Sequence, residues 1–232
     1  MAQIISIENG LSFELNPNDY TAKITHSPNA CGNILISRSI NYQDKEYIIT
    51  HIQPNSFSNN KKIQSITFSE DSALFSIGSN SFDRSTIQSL NIPSTVEELQ
   101  EGWCSNTFDL TTVTISPGNQ QFKYLDDKHQ IIIKKSDKTK ENFDVLVFAS
   151  RDINKVIIPS YIKHINSFAF DECAKLQIIQ IQENSQLQSI GKNSFSNSLI
   201  TSLFIPSNVE ELQEGWCTDL SNLVKVNISP EN

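Results

Sequence analysis

The groups in this 232-residue sequence that could do chemistry come in duplicate. Glu97, Glu98 and Glu101 return as Glu210, Glu211 and Glu214, His51 returns as His164, and Cys104 returns as Cys217. Three close carboxylates could hold a hard cation such as Ca²⁺, and paired histidines could ligate a transition metal. The spacing supports neither. No D-x-D-x-D-G loop accompanies the glutamates, and no C-x-x-C or Cys/His metal spacing exists anywhere. His26 and His129 have no Asp or Cys companion at ligand spacing. Asp126 and Asp127 are adjacent, so in a hairpin their side chains point apart and form no acid/base pair. There is no G-x-S-x-G, no glycine-rich phosphate loop and no H-E-x-x-H. The sequence therefore predicts a protein that is not an enzyme, with no cofactor and no metal site.

The duplication is itself the main signal. Val96 to Cys104 recurs unchanged at Val209 to Cys217, a shift of 113 residues. The same shift aligns Phe57 with Phe170, Ile77 with Ile190, Phe82 with Phe195 and Pro93 with Pro206. It also aligns Ser37-Arg38 with Ser150-Arg151, which predicts an ungapped match from about residue 34 onward. The chain divides into modules 6–118 and 119–231. Self-similarity at a fixed period points to a stacked architecture whose function lies on surfaces rather than in one pocket. Cys104 and Cys217 then lie repeats apart, beyond the roughly 7 Å Cα reach of a disulfide, and read as small buried hydrophobes.

Each module holds three shorter repeats. Ile49-x-x-Ile52-x-x-x-x-Phe57 is followed by Ile63-x-x-Ile66-x-Phe68, and the pattern returns with spacings of 25 residues (Ile52 to Ile77) and 22 residues (Ile77 to Leu99). Apolar residues two apart suit a short strand with one buried face. The first half makes the return leg, and its aromatic fills the far side of a coil. Each coil has too little core to fold alone, so neighbours must stack. Pro93 and Pro206 close strands where a ladder donor is no longer wanted.

These residues resemble the BspA-like leucine-rich repeats of treponemal type. The resemblance rests on Ser76-Ile77-Gly78-Ser79-Asn80-Ser81-Phe82, Ile165-Asn166-Ser167-Phe168-Ala169-Phe170 and Ser202-Leu203-Phe204-Ile205-Pro206. Trp103 and Trp216 depart from it, standing where the family has Phe. The expected fold is a right-handed β-rich solenoid, a leucine-rich repeat array of six repeats in two 113-residue modules, each preceded by a β-hairpin island. The expected divisions are a hairpin cap over 1–48, a first repeat block over 49–118, an island over 119–157 and a second block over 158–232, all in one continuous elongated domain. Within the island, Phe122 to Leu125 and Gln130 to Ile133 should form a hairpin, with Val145 to Phe148 a further strand. No capping element follows Val226 to Ile228 before Pro230-Glu231-Asn232, so the chain reads as a piece of a longer protein or as a coil covered by a second copy.

What the resemblance implies for function is a protein-binding, adhesion-type module at the cell surface or secreted, with a matrix or cell-surface protein as partner. Self-association through the uncapped C-terminal coil is a further expectation. An intracellular scaffold in the cytoplasm is one alternative, because Met1 to Gly10 does not look like a signal peptide, and a glycan-binding module without catalysis is another. The net charge of −8 argues against nucleic acid or an anionic membrane, and no apolar run is long enough for membrane insertion. Asn227-Ile228-Ser229 matches a glycosylation sequon but lies within a predicted strand.

The residues that separate the two modules are the most informative. Positions between the buried strand residues face outward. In module one Gln64, Ser65, Thr67, Gln88, Ser89, Asn91, Thr111, Thr112 and Thr114 are all polar and uncharged. In module two three of the equivalents are apolar, namely Ile178, Phe204 and Val224, on neighbouring repeats of one expected sheet. Clustered exposed apolar residues mark contact surfaces. The predicted partner-binding residues are Ile178, Phe204 and Val224, with Lys225 and Thr201 beside them.

Overall fold

The computed structural model describes residues 3–7 and 9–229, and these are all strand and turn, with no helix. The expected uncapped end at Pro230-Glu231-Asn232 lies outside the described residues. The chain forms two compact units, Met1–Gln120 and Gln121–Asn232.

The first unit contains β1 (Gln3–Ser6), β2 (Ser12–Asn16), β3 (Thr21–Thr25), β4 (Gly32–Ile36), β5 (Ser39–Tyr42), β6 (Lys45–Ile52), β7 (Ile63–Phe68), β8 (Ser76–Ile77), β9 (Ser89–Ile92), β10 (Glu98–Leu99) and β11 (Thr112–Ile115). One sheet runs β1-β2-β3-β6-β8-β10, with β5 also on β6, and a second runs β11-β9-β7-β4. The hairpins β1–β2–β3 and β5–β6 are antiparallel. Every pairing between coils is parallel, because each coil returns to the same starting side. Strand β7 shows the predicted alternation, with Ile63, Ile66 and Phe68 buried and Gln64 and Thr67 exposed.

The second unit contains β12 (Phe122–Tyr124), β13 (Ile131–Lys135), β14 (Phe143–Ala149), β15 (Lys155–Ile158), β16 (His164–Ile165), β17 (Ile178–Ile181), β18 (Ser189–Ile190), β19 (Ser202–Ile205), β20 (Glu211–Leu212) and β21 (Lys225–Ile228). The expected hairpin is present as β12–β13, and β14 pairs with β13 on one side and β16 on the other. The sheet runs β12-β13-β14-β16-β18-β20, while β15–β17 and β19–β21 form separate two-stranded sheets.

The ungapped match from residue 34 is corrected by the ladder. Ile34 pairs with Ile66, and Val156 pairs with Ile179, the equivalent of Ile66. Ile34 therefore corresponds to Val156, not to Val147. Twelve residues separate Ile36 from Ile49, but only three separate Ile158 from Ile162. The nine extra residues in the first unit form the β5–β6 hairpin. Its turn residues Gln43 and Asp44 both have positive φ, 50° and 59°, as the two-residue hairpin turn that matches strand twist requires.

The return legs stack in register. Asn55, Asn80 and Gly102 occupy one left-handed position in successive coils, and Asn59, Arg84 and Asn106 occupy a second. Asparagine and glycine suit this region for steric reasons. In the second unit the same two positions hold Phe168, Asn193 and Gly215, then Glu172, Asn197 and Asp219. The coil interior is an aromatic column. Phe57 stacks on Phe82 at 5.2 Å, and Trp103 meets Phe82 edge-on at 6.5 Å. Phe170, Phe195 and Trp216 repeat this at 5.3 and 6.5 Å. Gly78 and Gly191 donate to Ile52 O and Ile165 O of the preceding coil, at 2.9 and 2.8 Å. A Cβ there would sit 2.5 Å from Pro54 N or 2.4 Å from Ser167 N.

Cys104 is buried as expected, whereas Cys217 is only half-buried. Cys217 belongs to the coil of β20 and β21, the outer strands of their sheets, where Leu212, Val226 and Ile228 are also exposed.

Candidate interaction face

In the second unit β15, β17 and β19 turn alternate side chains into the coil and out to solvent, and all four β21 residues are exposed. The outward positions are Lys155 and Ile157, Ile178 and Gln180, Ser202 and Phe204, and Lys225 and Asn227. The predicted residues are all exposed, Ile178 at 52%, Phe204 at 47% and Val224 at 89%, with Thr201 and Lys225 exposed beside them.

The ladder places them at different levels. Lys155 stands opposite Ile178 and Ile157 opposite Gln180. Ser202 stands opposite Lys225 and Phe204 opposite Asn227. Val224 donates its N–H to Thr201 O at 2.9 Å, so these two share a level, and Phe204 lies about 10 Å farther along the strand. The face is a spread of apolar residues over more than one level rather than a compact cluster. It also crosses a break. Ile178 belongs to the β15–β17 sheet and Phe204 to the β19–β21 sheet, not to one sheet as expected. The first unit pairs β7 with β9 only at Ser65↔Ser89 and Ile66↔Leu90, and the second unit lacks even this short ladder.

The corresponding face of the first unit, apart from exposed Leu35 on β4, is polar and bonded to itself. Ser65 Oγ donates to Asn33 Oδ1 at 2.7 Å, and Asn91 Nδ2 donates to Thr114 Oγ1 at 3.1 Å. Ile178 and Phe204 take the places of Ser65 and Asn91, so these side-chain bonds have no equivalent in the second unit.

Ile157 and Tyr161 are among the exposed apolar residues that the sequence reading does not find. Ile157 is 45% exposed on β15, and Tyr161 follows it at 45%. The expected island over 119–157 takes in Ile157. The signal was present, since Val156-Ile157-Ile158-Pro159-Ser160 matches Leu203-Phe204-Ile205-Pro206-Ser207.

The duplicated chemical groups do not converge. His51 Nδ1 bonds Thr50 Oγ1 at 2.8 Å, and His164 Nδ1 bonds Ser189 Oγ at 2.9 Å. Burial, together with the charge of Lys23, lowers the His51 pKa, while Glu98 opposes this. Glu97, Glu101, Glu210, Glu211 and Glu214 are exposed, and Glu98 is part-buried on β10. Among the described residues no three His, Cys, Asp or Glu side chains come together as a metal ion needs.

A family model described as the BspA type leucine rich repeat region matches six copies over residues 30–127 and 141–232. The chain belongs to this family. Leucine-rich repeats of this kind are generally non-catalytic scaffolds that bind protein partners. No curated protein matches the chain. Among solved structures, the BspA-type array is similar to a leucine rich cell surface protein from Faecalibacterium prausnitzii, with 15% identity, 99% of this chain and 95% of that one covered, and a TM-score of 0.41. It is similar to a leucine-rich repeat protein from Bacteroides ovatus, with 14% identity, 97% and 67% covered, and a TM-score of 0.42. It is also similar to the pneumococcal vaccine antigen PcpA, with 15% identity and a TM-score of 0.39, where it covers 99% of itself and 51% of the antigen.

Proposed function

We propose that this chain is a non-catalytic binding module that recognises a matrix or cell-surface protein through the outward face of its second unit. The observation that carries the reading is the replacement of the polar positions Ser65, Asn91 and Thr111, the first two bonded through their side chains, by exposed Ile178, Phe204 and Val224. Exposed apolar side chains cost stability nothing on folding but gain roughly 25 cal/mol per Å² when a partner covers them. Thr201 and Lys225 supply the polar rim such interfaces carry. Phe204→Ser, compared with the parent chain by surface plasmon resonance on immobilised collagen, fibronectin and laminin and by sedimentation for self-association, tests it. Binding at least tenfold weaker is expected, and unchanged binding in every format sinks the reading.

None of the four cysteines is in a disulfide and Cys31 is exposed, which favours a second reading. Free exposed thiols suit a reducing compartment, where the same face would serve an intracellular scaffold. Labelling intact cells with a membrane-impermeant reagent separates the two.

A further inference from the structure

The side of β15 that faces away from β17 carries no partner. Gln177 N–H donates to Asn154 O and Gln182 N–H to Ile158 O, each at 3.0 Å, so the even-numbered residues Asn154, Val156 and Ile158 point their backbone groups toward β17. The N–H and C=O of Lys155 and Ile157 then point the other way, where no strand pairs with β15 among the described residues. Exposed sheet edges are usually blunted by charge, bulges or coverage. This one has a groove beside it. The groove has a volume of about 650 Å³, bounded by residues 153–157 on one side and by the β12–β13 turn, Leu125 to Gln130, on the other, with Tyr161 at one end. The groove runs beside the four residues of β15.

We infer that this groove binds a short extended peptide segment of a partner protein, which adds to β15 as a strand. The free N–H and C=O groups of Lys155 and Ile157 recognise its backbone, and Leu125, Ile157 and Tyr161 take aliphatic side chains from it. Main-chain bonds supply affinity and alternate side chains supply selectivity in this mode of recognition. Charge at the mouth is balanced, Asp126 and Asp127 against Lys128 and Lys155, and Asp126 Oδ1 is already engaged by the N–H groups of Gln130 and Ile131 at 3.0 Å. A neutral, aliphatic strand fits better than a charged one. A second copy of this chain fits less well. Stable protein interfaces bury about 1,200–2,000 Å², far more than a four-residue edge offers. The inference goes beyond the proposed binding face and does not depend on it.

The test selects octapeptides from a random display library on the intact chain, then maps each enriched peptide by amide hydrogen exchange. The expected result is slowed exchange at Lys155 and Ile157 for peptides with alternating aliphatic residues. Binding should fall at least tenfold when the peptide is N-methylated at alternate residues, and equally in Ile157→Pro. That proline removes only a donor aimed at the groove, so Gln177 and Gln182 amides should stay protected. Should it disturb the fold, Ile157→Lys serves instead. Enrichment of no peptide, protection confined to the Phe204 face, or concentration-dependent self-association lost in Ile157→Pro would each overturn the inference. Phe204→Ser should leave peptide binding unchanged, which separates failure here from failure of the proposed face.

Discussion

Arg151 in the second unit takes over part of the carbonyl capping that Asn60 does in the first. Asn60 Nδ2 donates to Ser27 O at 3.1 Å and Ala30 O at 2.9 Å, and its Oδ1 accepts from the N–H groups of Lys62 and Ile63 at 2.8 and 3.0 Å. Cys173 stands at the equivalent position and makes only long thiol contacts, Sγ to Ala149 O at 3.9 Å and to Ser150 O at 3.6 Å. Arg151 instead donates Nη1 to Ala149 O at 3.3 Å and Ala169 O at 3.4 Å, with its guanidinium over the Phe148 ring. One carbonyl is common to both sets, Ala149 O being the equivalent of Ser27 O. Buried polar groups left unpaired cost about 1–3 kcal/mol each. Asn60→Ala is thus expected to lower stability by about 3 kcal/mol, measured by urea unfolding, and Arg151→Met by a comparable amount.

Gly78 and Gly191 let neighbouring coils approach. A methyl group at either position meets backbone at 2.5 Å or less, and backbone cannot yield as a flexible side chain would. Gly78→Ala and Gly191→Ala should each cost about 1–3 kcal/mol, read as a lower unfolding midpoint.

Phe168 holds a left-handed backbone at φ 62°, where Asn55, Asn80 and Asn193 stand in the other coils. A bulky residue in this region costs about 1–2 kcal/mol more than glycine or asparagine. Phe168 is only part-buried, so little packing is lost on replacement. Phe168→Asn is expected to raise stability by about 1 kcal/mol. A decrease would show that its ring contributes more than its backbone costs.

Glu172 is strained in the same way, at φ 60°, and is also buried. Burial, reinforced by the nearby Asp171 carboxylate, raises its pKa to about 7, against the opposing hydrogen bond from Asn197 and the charge of Arg151. Unfolded, the group ionises near 4.5. Between these values the native state keeps a proton that the unfolded state has lost, so stability falls as pH rises from about 4.5 to 7. The loss should be on the order of 2 kcal/mol. Urea midpoints measured at pH 5 and pH 8 should differ by less in Glu172→Gln. An identical pH dependence in both proteins would rule out Glu172 as the source.

Thiol chemistry offers a further check. Burial pushes the Cys173 thiol up to about 11 and raises that of Cys217, while Cys31 is exposed. Under native conditions a maleimide should modify Cys31 first, Cys217 slowly, and Cys104 and Cys173 only on unfolding.

The coil pattern was legible because Ile52, Ile77 and Leu99 mark one packing position and Phe57, Phe82 and Trp103 another at the same period. The β5–β6 hairpin was not legible. Its turn, Gln43-Asp44, has neither glycine nor asparagine, and the 113-residue match ran across it without a visible gap. That same match hid β15 inside the island, and Ile157 with it. Outward parity identified Ile178 and Phe204 correctly as exposed. The break between β17 and β19 depends on backbone pairing, which side-chain pattern does not encode.

Exchange of the outward face between the units tests the central claim most directly. Ile178→Ser, Phe204→Asn and Val224→Thr together give the second unit the first unit's residues, and Ser65→Ile, Asn91→Phe and Thr111→Val do the reverse. All six positions lie at or near the surface, so unfolding midpoints should move little. Binding to immobilised collagen, fibronectin and laminin is then measured for the parent and both triple variants. The account predicts that the parent binds at least one of these proteins, that the first triple variant binds it at least tenfold more weakly, and that the second binds it more tightly. Equal binding by the parent and the first triple variant would contradict it.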